Sequence, residues 1–177
     1  GRYLVTGKNN YDGTTTTATF ELFQGYEVSV PKGEYITYYR DEALTLDAAD
    51  KESIELLTIT SVSDDKAVLS SAITTAPSNT PLLIYNAGNT DQTFLLIPAD
   101  AEPNLQLTVY GGFKGTLVDA TINASDANTT NYALNGIQFV YVKDAISVKA
   151  NKAWLSVTTG GSLHARSLTI VSDSEAT

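Results

Sequence analysis

Cysteine and methionine are both absent from the 177 residues. Without cysteine there is no disulfide framework, no thiolate metal site and no thiol nucleophile. The lack of methionine fits a chain that begins after a removed leader, with Gly1 as a possible expression remnant. Histidine and tryptophan occur once each, at His164 and Trp154. A single histidine leaves zinc short of ligands, and no cofactor or metal is expected. No apolar run reaches the roughly 18 residues that a membrane-crossing helix needs. Basic residues are scarce: 11 Lys plus Arg against 20 Asp plus Glu give a net charge of -9. Such a surface repels phosphate backbones, so nucleic acid is not an expected partner.

What is present is β-forming. Thr is abundant, Tyr outnumbers Phe by 10 to 5, and short apolar runs alternate with Gly, Asn, Asp and Ser. No window holds a 3.6-residue apolar period, which predicts little helix. The length fits one domain or two small ones. The reading is an all-β fold of about a dozen short strands. It takes the form of a two-sheet antiparallel β-sandwich with Greek-key or jelly-roll links.

Along the chain, β-prone runs at Tyr3–Thr6 and Thr15–Phe23 flank Asp12-Gly13, a hairpin signal. Residues 1–25 are read as an extra hairpin or the tail of a neighbouring domain, and residues 26–177 as the module proper. Further strands are expected at Tyr26–Val30, Tyr35–Tyr39, Ile54–Val62, Ala67–Ser71, Pro81–Tyr85 and Gln92–Ile97. Leu105–Tyr110, Lys114–Ala120, Tyr132–Leu134, Ile137–Val142 and Arg166–Val171 complete the set, with Ile146–Val157 read as a short loop feeding a strand that carries Trp154. Thr121–Asn131 is the most polar stretch and reads as a long exposed loop.

Three ten-residue segments superpose without gaps: VPKGEYITYY from Val30, APSNTPLLIY from Ala76 and VKANKAWLSV from Val148. Each runs from turn-type residues into an apolar strand. The second and third also match further out, at the same fixed offset of 72 residues that separates Ala76 from Val148. Either the segments descend from a duplication, or one turn problem is solved repeatedly with the same turn residues. On both readings Asn79 and Asn151 are expected in tight backbone positions with positive φ.

The order YITYYRDEALTLD, IELLTITSV, APSNTPLLIY, NYALNGIQFVYVKDAISVKANKAWLSV and ARSLTIV resembles a module of unknown function found in secreted Bacteroidetes proteins. It often sits near the C-terminus of leucine-rich-repeat and other surface proteins. The matching positions are Thr37–Tyr39, Ala43–Leu46, Ala76–Leu83, Tyr132–Asn135, Phe139–Val142, Asn151–Leu155 and Ala165–Val171. The resemblance spans about residues 26–172. Lys149 stands where the family usually has Pro, and Trp154 where Tyr is usual. It implies export and an extracellular or outer-surface location, and brings no catalytic residues with it.

Catalytic readings are weak against this background. His164 and Ser162 lie in a glycine-rich loop without a G-x-S-x-G nucleophile motif, so His164 reads as a solvated loop residue. The carboxylate pairs Asp41-Glu42, Asp47-Asp50 and Asp64-Asp65 are local and turn-like, unlike the facing pair of a glycosidase. Asp100, Glu102 and Asp126 lack a calcium-loop pattern. The sequons at Asn123 and Asn128 carry no weight in a bacterial chain. Aromatics lead instead, because exposed rings beside amides form sugar platforms. The candidate ligand residues are Tyr38, Tyr39, Tyr110 and Phe113, with Asn123, Asp126 and Asn128 in the polar loop. Tyr38 and Tyr39 should point to opposite faces of their strand, and Trp154 is expected in the core. The function expected is a non-catalytic accessory or adhesion module that offers loops to glycan or to a host or bacterial surface protein. A carbohydrate-binding module proper and a purely structural spacer are the alternatives.

Overall fold

The computed structural model of the chain describes residues 2–8, 13–21, 25–46, 52–158 and 165–175. Among these the fold is all-β, with no α-helix and a single 3-10 turn at Asp173–Glu175. No helix there is long and apolar enough to cross a membrane. The first two strands, β1 (Arg2–Lys8) and β2 (Thr15–Glu21), pair antiparallel as a two-stranded sheet of their own. Gly13, at φ +72°, precedes β2 and supplies the left-handed residue that the Asp-Gly signal implies.

The next strands are β3 (Tyr26–Val30), β4 (Tyr35–Tyr38), β5 (Leu44–Leu46), β6 (Ile54–Leu57) and β7 (Ile59–Ser63). They are followed by β8 (Lys66–Leu69), β9 (Thr75–Ala76), β10 (Leu82–Asn86) and β11 (Gln92–Pro98). After an irregular stretch come β12 (Phe113–Thr116), β13 (Ala120–Ile122), β14 (Thr129–Asn135) and β15 (Gln138–Tyr141). The last are β16 (Ile146–Val148), β17 (Lys152–Thr158) and β18 (Ser167–Val171).

These strands form a four-stranded sheet β3-β11-β5-β9, a three-stranded sheet β4-β10-β6 and a seven-stranded sheet β12-β17-β14-β15-β18-β8-β7. A small ribbon, β13-β16, extends the β12-β17 pair. The expected pair of sheets is thus replaced by several, and the seven-stranded one curls into a half-barrel. It is also not purely antiparallel, because β18 runs parallel to β8.

The reason lies in one residue. Ile54–Val62 reads as one strand, but Thr58 divides it. The Thr58 N–H donates to Ser70 Oγ at 3.1 Å, and its hydroxyl donates to the Pro81 carbonyl at 2.8 Å. Side chains thereby satisfy a fully buried corner. The chain leaves the three-stranded sheet as β6 and enters the seven-stranded sheet as β7. A register irregularity between Ile59 and Ser61 adds to the bend.

The three-stranded sheet lies between two cores. On β10, Leu82 and Ile84 face one cluster with Val30, Leu44, Phe94 and Leu96, while Leu83 faces the other with Tyr132, Phe139, Leu155 and Leu168. Strand β6 divides the same way, Leu56 to one side and Leu57 to the other. A strand buried on both faces needs an unbroken apolar run, which is how LLIY reads.

The three superposed segments become three equivalent corners. Their fourth residues, Gly33, Asn79 and Asn151, have φ of 69°, 55° and 61°. Each N–H donates to a carbonyl on another segment: Gly33 to Asn86, Asn79 to Arg40, Asn151 to Thr116, at 2.8–3.0 Å. The first two bonds are reciprocal. At the offset of 46 that superposes the first two segments, Gly33 maps to Asn79 and Arg40 to Asn86. The β4–β10 pair is therefore locally two-fold symmetric, with a left-handed corner at each end.

Other expectations shift. Leu105–Tyr110 forms no strand, because its one long-range backbone bond runs from Tyr110 N–H to the Ile59 carbonyl at 2.7 Å. The strand expected at Lys114–Ala120 ends at Thr116 and resumes as β13. Between them Asp119 caps the corner of the third segment, accepting from Ala150 N–H at 3.0 Å and from Lys149 Nζ at 2.8 Å. The polar loop Thr121–Asn131 shrinks to residues 123–128, since strands enter it from both ends.

Candidate functional site

Strand β12 is the edge of the half-barrel, and an open cleft of ≈ 490 Å³ runs along it. The Ser156 N–H to Gly112 carbonyl bond sets the parity of the β12–β17 ladder. Lys114 and Thr116 then bond towards β17, while Phe113 and Gly115 turn their backbone groups to the free edge. The Phe113 N–H is taken by the Tyr110 carbonyl at 2.8 Å. The Gly115 N–H and C=O and the Phe113 C=O remain on the edge as polar groups.

Two glycines admit two rings. A Cβ on Gly115 would fall 2.1 Å from Tyr39 Cγ and Cδ2, so the phenol ring lies where a side chain would be. A Cβ on Gly112 would fall 2.2 Å from the Ser156 carbonyl oxygen and 2.5 Å from Tyr110 Cε1. Tyr39 is fixed from behind: its N–H donates to the Asn151 carbonyl, and Asn151 Nδ2 donates to its carbonyl, both at 3.1 Å. Its hydroxyl reaches Asn79 Oδ1 at a long 3.4 Å. Thus both left-handed asparagines serve the cleft, one as anchor and one as lining.

Trp154 stands opposite Lys114 in the β12–β17 register, so indole and ammonium share a face. The lining comprises Tyr39, Tyr110, Phe113 and Trp154, with Asn79, Pro81, Val109, Gly111, Lys114 and Gly115. It contains one cation and no carboxylate. Burial pushes the Tyr110 phenol above its ordinary pKa, which keeps it a neutral donor and acceptor. The arrangement can stack a flat apolar ligand face and hydrogen-bond its rim.

The structure separates the seven candidate residues. Tyr39 and Tyr110 line the cleft half-buried. Tyr38 alternates to the opposite face as expected, but that face packs into the first core and leaves it 9% exposed. Phe113, 4% exposed, packs edge-to-face on Phe139 at 6.2 Å and reaches the cleft only as floor. Neither Tyr38 nor Phe113 offers an exposed ring. Asn123, Asp126 and Asn128 are exposed and outside the cleft lining. Asp126 Oδ1 is occupied by the N–H groups of Asn128 and Thr129 at 2.7 and 2.8 Å, a local turn.

The sequence reading misses Trp154, Asn79 and Lys114 as lining. Trp154 is half-buried in the cleft instead of filling the core. The signal was available: Ala153, Leu155 and Val157 form the buried face of β17, which sends residue 154 to the other side.

The other candidates stay apart. No cluster of His, Asp or Glu among the described residues could hold a metal ion. Asp64 and Asp65 are exposed in the β7–β8 turn. Glu102 accepts from Ser78 N–H at 3.1 Å, beside Asn79. Arg40 lies 3.8 Å over the Tyr26 ring and pairs with Glu42, which also accepts from the Tyr26 hydroxyl. That cluster pairs its charges internally but leaves the buried Arg40 Nε without a hydrogen-bond partner. Asp47, Asp50, Ser162 and His164 lie outside the described residues. No family model, curated protein or solved structure matches the chain.

Proposed function

We propose that the chain is a non-catalytic accessory or adhesion module of an exported bacterial surface protein, and that it binds glycan in the Tyr39–Trp154 cleft. The observation that carries this reading is the convergence of three half-buried rings, Tyr39, Tyr110 and Trp154, with the Asn79 amide on one open surface. Sugar rings present apolar C–H faces and polar rims, and aromatic floors with amide walls complement both. A glycosidase needs two carboxylates flanking the bond it cleaves. This lining has none, which favours binding over hydrolysis at this place. The surface location rests on the sequence resemblance described above.

A glycan array probed with the purified protein tests the reading. It should give signals on at least one class of plant, host or microbial glycan, and Trp154→Ala and Tyr39→Ala should each remove them. Silence across all three classes would sink the proposal.

A further inference from the structure

Resting on that reading, we infer that the cleft selects an anionic saccharide, one whose ring carries a carboxylate or a sulfate ester, and that Lys114 makes the selection. The chain has 20 acidic residues against 11 basic ones. Against that composition, ten lining residues with one ammonium and no carboxylate are a local reversal of sign. Lys114 is exposed and has no ion-pair partner among the described residues. Of the other cations, Lys149 is paired with Asp119, Arg40 with Glu42 and the Tyr26 ring, and Lys152 is half-buried on β17 outside the lining.

The register adds direction. Because Lys114 is the cross-strand partner of Trp154, its ammonium rises beside the indole and on the same face. A sugar stacked on that indole would present a substituent of its rim to the ammonium. Glu102, which accepts from the Ser78 N–H beside Asn79, is not part of the lining. The ion pair formed would be exposed, so it contributes discrimination of a few fold and not the bulk of the affinity.

The test pairs each anionic probe with a neutral counterpart of the same rings. Tetragalacturonic acid is compared with its methyl ester, and a κ-carrageenan tetrasaccharide with its desulfated form, by titration calorimetry at low salt. One or both anionic members should bind about fivefold tighter than their partners. Which pair shows the difference identifies carboxylate or sulfate as the group read. Lys114→Gln should abolish the preference, bringing the affinities of the anionic and neutral members of a pair together, and added salt should shrink it in the wild type. Trp154→Ala should remove binding of all four. Equal binding within both pairs, or an unchanged preference in Lys114→Gln, would overturn the inference and leave the cleft a glycan site. No binding by any of the four, together with a silent array, would overturn both.

Discussion

Gly115→Ala is the sharpest perturbation of the cleft. The added methyl would sit 2.1 Å from two Tyr39 ring carbons and 2.7 Å from its Cβ. Ordinary contact begins near 3.5 Å, so the ring must move by more than an ångström. It cannot retreat with its backbone, which two 3.1 Å bonds hold to Asn151. Relief must come from rotation of the phenol out of the cleft or from a shift of the edge strand. Overpacking of this kind costs typically ~1–3 kcal/mol. For a chain of this size each kcal/mol lowers Tm by about 2–4 °C, so a fall of about 2–12 °C is expected, with loss of glycan binding. Urea unfolding followed by tryptophan emission gives the free energy. A double-mutant cycle makes the cause specific: in a Tyr39→Ala background the clash partner is gone, and Gly115→Ala should become nearly neutral. A wild-type urea midpoint in Gly115→Ala, or an equal cost in both backgrounds, would refute the packing argument.

Asn151→Ala should cost about 2 kcal/mol in urea unfolding, since it loses both the left-handed preference and the hydrogen bond to Tyr39. Asn79→Ala should cost about 1 kcal/mol and Asn79→Gly almost nothing, because there φ dominates and the side-chain bond is long. Burial alone holds the Lys152 ammonium below its usual pKa, so the fold disfavours its charge. Lys152→Met should therefore raise stability by about 0.5–1 kcal/mol at neutral pH, read from the urea midpoint. Tyr132 is fully buried, donates to the Ala165 carbonyl at 2.9 Å, and is pushed up to about 12 by burial. With an unfolded value near 10, its contribution is intact below pH 10 and is lost between pH 10 and 12. Tyr26, Tyr35, Tyr38 and Tyr110 are raised as well, so alkaline unfolding should be steep. Tyr132→Phe should flatten it, as followed by urea midpoints across that range.

Local rules carried the reading a long way. Turn chemistry placed positive φ at Asn79 and Asn151, and the gapless superposition foresaw that these corners would be alike. Period-2 alternation sent Tyr38 and Tyr39 to opposite faces. What local rules do not contain is which elements cover each face. Tyr38 is buried because the four-stranded sheet packs over it, and Tyr39 lines a cleft because Gly115, 76 residues further on, leaves it room. The sheet count failed for a related reason. The bend at Thr58 depends on Ser70 and Pro81, residues remote in sequence that no window around Thr58 includes. Trp154 was misplaced by giving the size of the side chain more weight than the alternation of its neighbours.

Trp154 also provides the most direct measurement, because it is the only tryptophan and it lines the cleft. An oligosaccharide that binds the protein is titrated while tryptophan emission is followed. The account predicts a saturable change in emission whose midpoint equals the calorimetric Kd, and whose amplitude vanishes in Tyr39→Ala. Calorimetric binding with Trp154 emission unchanged would place the ligand elsewhere and contradict the assignment of this cleft.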